Sequence, residues 1–348
     1  MNNILVIKLR YIGDVLLATP VLRALRERFP EARLTMAVNR GTEDILKSNS
    51  DVDEVLAVGW SERAAQLRFL HELRRRRFDV VIDLTDGDRS AIMAKLSGTP
   101  VRIGFNEEHR WRGLLYTSVV RVQPGVVHRV ERDLEALRPL GIEPKPWQPV
   151  LRISSQDEAE AARLLHEVGI QECEDKAARP LAMLVPGARY WFKAWPVERF
   201  AELANRLVEV TGCHVLVGGD LGERELGEAI RGQSHVAVTV LAGRTSLRQL
   251  AAILKRCALF VGNDNGPMHM AAAVGTPVVA LFGPSDPTVW GPRGSHCEVL
   301  YKGLDCRQCF HPTCTRGEES CMKLISIDEV FAAAQRVITS RFEVVRDR

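Results

Sequence analysis

Phe260-Val261-Gly262-Asn263-Asp264-Asn265-Gly266-Pro267-Met268-His269, running on through Met270-Ala271-Ala272-Ala273-Val274-Gly275-Thr276-Pro277-Val278-Val279-Ala280-Leu281-Phe282-Gly283-Pro284, is the stretch that decides the fold. An apolar run of strand length ends in Asn-Asp-Asn-Gly, an alanine-rich run of helical character starts at once, and a second apolar run follows. That order describes a βαβ unit on a parallel sheet. The amides that open such a helix, those of Asn265 to Met268 apart from proline's, can point at a bound phosphate. The alanines let the helix lie close to the sheet. His269, on the first helical turn, reads equally well as a packed core histidine and as a ligand contact.

The same alternation extends in both directions. One series predicts strands at residues 3–8, 33–38, 79–84 and 101–104, with helices such as Asp14–Arg28 and Ser61–Arg76 between them. A second predicts strands near 181–185, 213–219, 257–262 and 277–282, with helices such as Val197–Val210 and Leu247–Arg256. Between the two lies Glu143-Pro144-Lys145-Pro146-Trp147-Gln148-Pro149, whose three prolines remove backbone donors and hold the preceding residues extended. This linker divides the chain into domains 1–150 and 151–348. The class is α/β, with two doubly wound Rossmann-like domains expected to bind ligand at the carboxyl ends of their strands.

Composition narrows the function. The 348 residues carry 47 Lys and Arg against 44 Asp and Glu, a net +3 that argues against a nucleic-acid partner. The basic excess belongs to the first domain, with 24 against 20, whereas the second has 23 against 24. Arg74 to Arg77 reads first as a solvated helix end and second as a site for an anionic partner. No apolar run reaches the ~18 residues of a membrane span, and Met1-Asn2-Asn3 leads straight into a strand without the layout of a secretory signal. A cytoplasmic location is expected. Cys173, Cys213 and Cys257 stand singly in apolar contexts, as buried thiols do.

Three further loops carry candidate chemistry. Lys8-Leu9-Arg10-Tyr11-Ile12-Gly13-Asp14 leaves the first strand, and Asp14 is either a helix N-cap or a carboxylate able to take a proton from a hydroxyl nucleophile. Neither G-x-G-x-x-G here nor G-x-x-x-x-G-K-[ST] anywhere is present, against a dinucleotide oxidoreductase or a P-loop enzyme. In Pro186-Gly187-Ala188-Arg189-Tyr190-Trp191-Phe192-Lys193-Ala194-Trp195-Pro196, Lys193 offers a point charge and Arg189 a planar fork to a diphosphate, and Pro196 fits a first helical position. Trp191, Phe192 and Trp195 read as packing. In Gly218-Gly219-Asp220-Leu221-Gly222-Glu223, Glu223 suits either ribose hydroxyls or the start of a helix.

Taken in order, Ile12-Gly13-Asp14, Phe192-Lys193-x-Trp195-Pro196, Gly218-Gly219 with Glu223, and Asn263-Asp264-x-Gly266-x-Met268-His269-x-Ala271-Ala272-Ala273 running into Ala280-Leu281-Phe282-Gly283-Pro284 resemble glycosyltransferase family 9, the ADP-heptose:lipopolysaccharide heptosyltransferases. The likeness spans nearly the whole chain. Ile82-Asp83-Leu84-Thr85-Asp86 and Pro186-x-Ala188-Arg189-x-x-Phe192-Lys193 are most similar to the heptosyltransferase III group. The resemblance implies a GT-B architecture with two domains facing across a cleft, an N-terminal domain for a lipid A-linked lipopolysaccharide core acceptor, and a C-terminal domain for ADP-heptose. It implies inverting transfer that requires no cofactor, with peripheral contact at the inner membrane. By motif match Asp14 is the general base and Lys193 neutralises the departing ADP. Arg189, Glu223, Asp264, Asn265, Gly266, Met268 and His269 form the donor pocket, with Lys8 and Arg10 on the acceptor side. Asn265 stands where the family usually has Ser or Thr, and Pro267 removes one amide from the loop. Two other readings share the fold and the pocket: a nucleotide-sugar 2-epimerase, and an ADP-sugar-binding protein without turnover.

Five cysteines crowd into residues 297–321, ahead of a C-terminal helix. Cys306-x2-Cys309-x4-Cys314-x6-Cys321, with Cys297 and His311 nearby, could hold a structural zinc ion, although the spacing is not that of a standard zinc ribbon. Reduced thiols or redox-sensitive pairs are the alternative.

Overall fold

In the first half of the chain the apolar run Ile4 to Ile7 is wholly buried, as a strand covered on both faces of a parallel sheet must be. It belongs to strand β1 (Asn3–Lys8), followed by β2 (Arg33–Asn39), β3 (Glu54–Val58), β4 (Val80–Asp83), β5 (Val101–Phe105) and β6 (Ser118–Val120). The computed structural model describes residues 1–59, 63–123, 125–170, 179–306, 309 and 314–346, so Ser61, Cys173 and His311 lie outside the described residues. All six strands are parallel, in the order β3-β2-β1-β4-β5-β6.

The second half contains β7 (Leu181–Val185), β8 (His214–Val217), β9 (Val238–Val240), β10 (Leu259–Asn263), β11 (Val278–Phe282) and β12 (Cys297–Tyr301). They make a second parallel sheet, ordered β12-β11-β10-β7-β8-β9. Counted from its own first strand, this is the order of the first sheet. Two compact units result, Met1–Arg152 and Ile153–Arg348. Residues 142–154, which include the proline-rich segment, form neither helix nor strand.

Each sheet reverses its winding direction between its first and fourth strands, and open α/β sheets place ligands at the carboxyl ends flanking that reversal. In the first unit the point lies between β1 and β4, in the second between β7 and β10. The candidate loops 9–14 and 186–196 therefore leave the two strands that flank their units' switch points on one side, and residues 84–87 and 264–266 leave those on the other.

Several boundaries differ from the sequence reading, for identifiable reasons. The predicted strands are the four inner strands of each sheet, and all four edges (β3, β6, β9, β12) were missed. β6 and β9 are only three residues long, and β3 and β12 hold short apolar runs that stay half-solvated at the edge of the sheet. The predicted helix Asp14–Arg28 is two helices, Ile12–Leu17 and Thr19–Arg28. Pro20 has no N–H to give the carbonyl of Leu16, and the Thr19 hydroxyl donates to that carbonyl instead, at 2.7 Å. Pro196 is the N-cap rather than the first helical residue of Val197–Thr211, because its ψ of 136° is still extended. That helix stops at Gly212, whose φ of +66° suits a residue without Cβ.

A buried ion pair organises the first unit beneath its switch point. Lys8 ends β1 inside the protein, where its ammonium donates to Asp133 at 2.5 Å and to the carbonyl of Leu84 at 3.1 Å. Replacing Lys8 by Met is expected to cost roughly 3–5 kcal/mol, because Asp133 is left buried without its 2.5 Å ammonium partner. Urea unfolding of Lys8→Met and of Lys8→Met/Asp133→Leu checks this. The double variant should recover a substantial part of the loss.

Candidate functional site

At the first switch point the loop after β1 is held by the loop after β4. The backbone N–H of Leu9 donates to Thr85 Oγ1 at 2.9 Å, and the Arg10 guanidinium donates twice to the Thr85 carbonyl, at 3.2 and 3.0 Å. Thr85 is in turn fixed by Asp83, which accepts its N–H at 2.8 Å and the Tyr116 hydroxyl at 2.7 Å. Burial raises the Asp83 carboxyl above the usual carboxylate range. None of these links is visible in the spacing of the residues.

Asp14 is not the N-cap. The helix begins at Ile12 with Tyr11 as cap, so Asp14 is its third residue, and its carboxylate reaches back to the Tyr11 N–H at 3.4 Å. A carboxylate at that position satisfies an orphan amide of the first turn and favours the positive end of the helix. It is only half-buried, which leaves an oxygen edge accessible. Arg129, a half-buried residue whose pKa is lowered mainly by burial and then by Arg132, has Asp14 among its neighbouring negative charges. Sequence reasoning did not single out Arg129.

Lys8 is placed differently from expectation. Its ammonium is buried and engaged by Asp133 and Leu84, so it props the loop from below rather than facing an acceptor. Arg10 stays exposed on the same loop. Beside them Arg132 pairs with Asp86 (3.0 Å), Glu107 (2.5 Å) and Asp133 (3.1 Å), and Arg112 pairs with Asp86, Asp88 and Glu108.

The second switch point is more tightly tied. Asn263, buried at the end of β10, donates to the carbonyl of Pro186 at 2.6 Å and accepts the N–H of Trp195 at 3.1 Å. Asn265 donates to the carbonyl of Gly187 at 2.9 Å and accepts the N–H of Met268 at 3.0 Å, capping the helix Gly266–Ala273. The Lys193 ammonium meets Asp264 at 2.6 Å, with both side chains only partly exposed. A cation is thus held at the start of a helix, the arrangement that receives a phosphate group.

Glu223 joins the same cluster from the loop after β8. With Asp220 it forms a capping box, accepting the Asp220 N–H at 3.0 Å. Its other oxygen packs so closely on Gly187 that a Cβ there would come within 1.8 Å of it. A side chain at Gly187 would therefore push the Glu223 carboxylate out of its place, a constraint set across two loops. Burial raises the Glu223 carboxyl above its ordinary value.

The remaining predicted donor residues divide. Met268 is fully buried and its amide is taken by Asn265, so it serves the core and the cap rather than a ligand. His269 is buried on the first helical turn. Arg189 is exposed, with its guanidinium 5.5 Å from the centre of the Tyr190 ring. Trp195 is core, donating to the carbonyl of Ile325 at 2.9 Å, whereas Tyr190 and Trp191 are exposed beside Lys193 and stand where a planar group could lie.

Part of the cysteine segment, His311 included, lies outside the described residues. Cys306, Cys309, Cys314 and Cys321 are free thiols, and among the described residues no three or more His, Cys, Asp or Glu side chains come together in a group that could hold a metal ion. Cys306 instead accepts from Arg316 at 2.9 Å.

Comparison with known proteins gives this geometry a context. Residues 66–319 match the family model of glycosyltransferase family 9 (heptosyltransferase). The chain is 27% identical to the lipopolysaccharide heptosyltransferase 3 of Escherichia coli strain K12 over 95% of its own length and 96% of that protein's. It is 29% identical to the lipopolysaccharide heptosyltransferase 2 of Salmonella typhimurium over 86% and 87%. Among solved structures it is similar to the family 9 glycosyl transferase of Veillonella parvula (TM-score 0.84, 25% identity, 97% of each chain). It is also similar to the E. coli ADP-heptose lipopolysaccharide heptosyltransferase II (TM-score 0.80, 25% identity, 98% and 99%), which shares its GT-B fold.

Proposed function

Because this chain belongs to glycosyltransferase family 9, the heptosyltransferases, we propose that it transfers a heptose from ADP-heptose to the inner core of lipopolysaccharide, at a step of the heptosyltransferase III kind. The observation that carries this reading is its similarity to two E. coli lipopolysaccharide heptosyltransferase 3 proteins, at 27% and 28% identity, each over 95% of the chain. The heptosyltransferase 2 relatives align over less of it, 86%.

In the proposed reaction an acceptor hydroxyl attacks the anomeric carbon of the donor. The new C–O bond forms as the bond from that carbon to the β-phosphate oxygen breaks, and the electron pair leaves with ADP. Asp14 takes the hydroxyl proton, a role suited to a half-buried carboxylate on an anchored turn. Lys193, oriented by Asp264, meets the charge that grows on the diphosphate, and the Gly266 end of the helix adds its dipole. Glu223 accepts from the ribose hydroxyls. Asn263 and Asn265 are positioning residues that hold the two donor loops together. The acceptor is linked to lipid A, so the enzyme works against the inner membrane.

Mass spectrometry of core-truncated lipopolysaccharides incubated with ADP-heptose tests the assignment. The expected result is a gain of one heptose on one particular truncation, with release of ADP that depends on that acceptor. ADP release without any acceptor would move the reading to a 2-epimerase, and transfer only to a heptose-free core would move it to another step of the pathway.

A further inference from the structure

Four large apolar side chains lie at the surface of two neighbouring elements in the first unit. The helix Asp88–Leu96 exposes Ile92 (41%) and Leu96 (43%), one turn apart on one face. The turn Trp111–Leu115, which packs against that helix, exposes Trp111 (49%) and Leu114 (85%). Asp88 ties the two together through Arg110 at 3.1 Å and Arg112 at 3.3 Å.

Cations are interleaved with these groups. Arg89 and Lys95 are exposed on the same side of the helix as Ile92 and Leu96, Arg110 adjoins Trp111, and the Arg74 side chain lies against Gly98 just beyond the helix. Asp88 and Glu108 are shared by Arg110 and Arg112, and Glu107 pairs with Arg132, while Lys95 and Arg74 stay exposed. Exposed Trp, Leu and Ile ringed by Lys and Arg match a surface with an apolar interior and an anionic face. A second copy of this chain would meet the ring with its own like charges.

We infer that this face, formed by Ile92, Leu96, Trp111 and Leu114 with Arg74, Arg89, Lys95 and Arg110, docks the protein on an anionic phospholipid bilayer. The inference deepens the proposed function by naming the surface that meets the membrane, and rests on it only for the lipid-linked nature of the acceptor. Among the described residues no helix is long and apolar enough to cross a membrane, so attachment by this face is peripheral.

The test is co-sedimentation of the full chain with vesicles of phosphatidylglycerol and phosphatidylethanolamine, or of phosphatidylcholine alone, without lipopolysaccharide or ADP-sugar. Wild type should bind the anionic vesicles, weaken as salt rises, and bind neutral vesicles poorly. Trp111→Ser/Leu114→Ser should lower partitioning about tenfold or more, since both side chains leave the acyl boundary. Arg89→Glu/Lys95→Glu, confined to exposed positions, should lower it by about fivefold or more for each charge changed. Val210→Ser, an exposed apolar position of the second unit, should change nothing. Equal binding to both vesicle types, or binding unaffected by either double variant, overturns the inference. So does a dimer seen by light scattering that Trp111→Ser/Leu114→Ser dissociates while vesicle binding is absent, which assigns the face to a second copy. Transfer to detergent-solubilised acceptor is measured in parallel. Vesicle binding without transfer rejects the functional reading alone, and transfer without vesicle binding rejects the docking face alone.

Discussion

Asp14→Asn is expected to lower kcat by about 10²–10⁴-fold while leaving ADP affinity unchanged, the range associated with removing a general base. The amide keeps the shape of the carboxylate and its oxygen still accepts the Tyr11 N–H, so the first turn of Ile12–Leu17 should survive. Only the ability to hold the acceptor's proton is lost. Asp14 belongs to the first unit, whereas the residues proposed for the donor belong to the second, which is why the two properties should separate. Single-turnover rates with saturating donor, together with calorimetric titration of ADP, check both halves. A variant that turns over within a few-fold of wild type removes Asp14 from the chemistry, and a matching loss of ADP affinity would mean that its role is structural.

Lys193→Ala should weaken both donor binding and turnover, by roughly 10–100-fold in ADP affinity and 10²–10³-fold in kcat, the latter comparable to losing one preorganised partner of a developing charge. Removing the ammonium does more than delete an attraction. It exposes the diphosphate to Asp264, whose carboxylate the lysine holds at 2.6 Å. The sign of that second effect is testable, because Lys193→Ala/Asp264→Asn should bind ADP better than Lys193→Ala alone. Lys193→Arg should fall between wild type and alanine, since a planar fork cannot take the place of a compact charge without moving its partner. Unchanged ADP affinity in Lys193→Ala would detach this residue from the donor site. A double variant no better than the single would mean that Asp264 itself contacts the donor.

Much of the architecture was legible because the inner strands of a doubly wound sheet are buried on both faces. Ile4 to Ile7, Leu181 to Val185 and Val278 to Phe282 are unbroken apolar runs, and helical patterns follow the loops after the first two. The edges were not legible for the same reason in reverse. Glu54–Val58 and Cys297–Tyr301 do hold apolar runs, but these are short and only half-buried, and β6 and β9 are three residues each. The split at Ala18 was missed although Pro20 was in plain view, since proline is tolerated in a first turn and the Thr19 hydroxyl takes over the unmet carbonyl.

For the candidate site, motifs located the loops but not their internal roles. Asp14, Lys193, Glu223 and Asp264 are candidates on sequence alone because carboxylates and ammonium groups in polar loops stand out. Asn263, Gly187 and Arg129 are not, because their importance lies in a neighbour distant in the chain: Pro186 for Asn263, Glu223 for Gly187, Asp14 for Arg129. Lys8 and Met268 were placed at the site by motif, yet the one faces inward to Asp133 and the other into the core.

The sequence by itself determined that this protein is two β/α units, that its chemistry lies in a handful of polar loops, and that these loops resemble those of one glycosyltransferase family. Such properties are encoded locally, in periodicity and in short runs of residues. Long-range strand pairing set the common winding order of the two units, put the loops of Asp14, Lys193 and Asp264 on strands at a winding reversal, and settled which side chains face inward or outward there. Those outcomes depend on which strands pair and which buried groups must find partners, and both are settled between residues far apart in the chain.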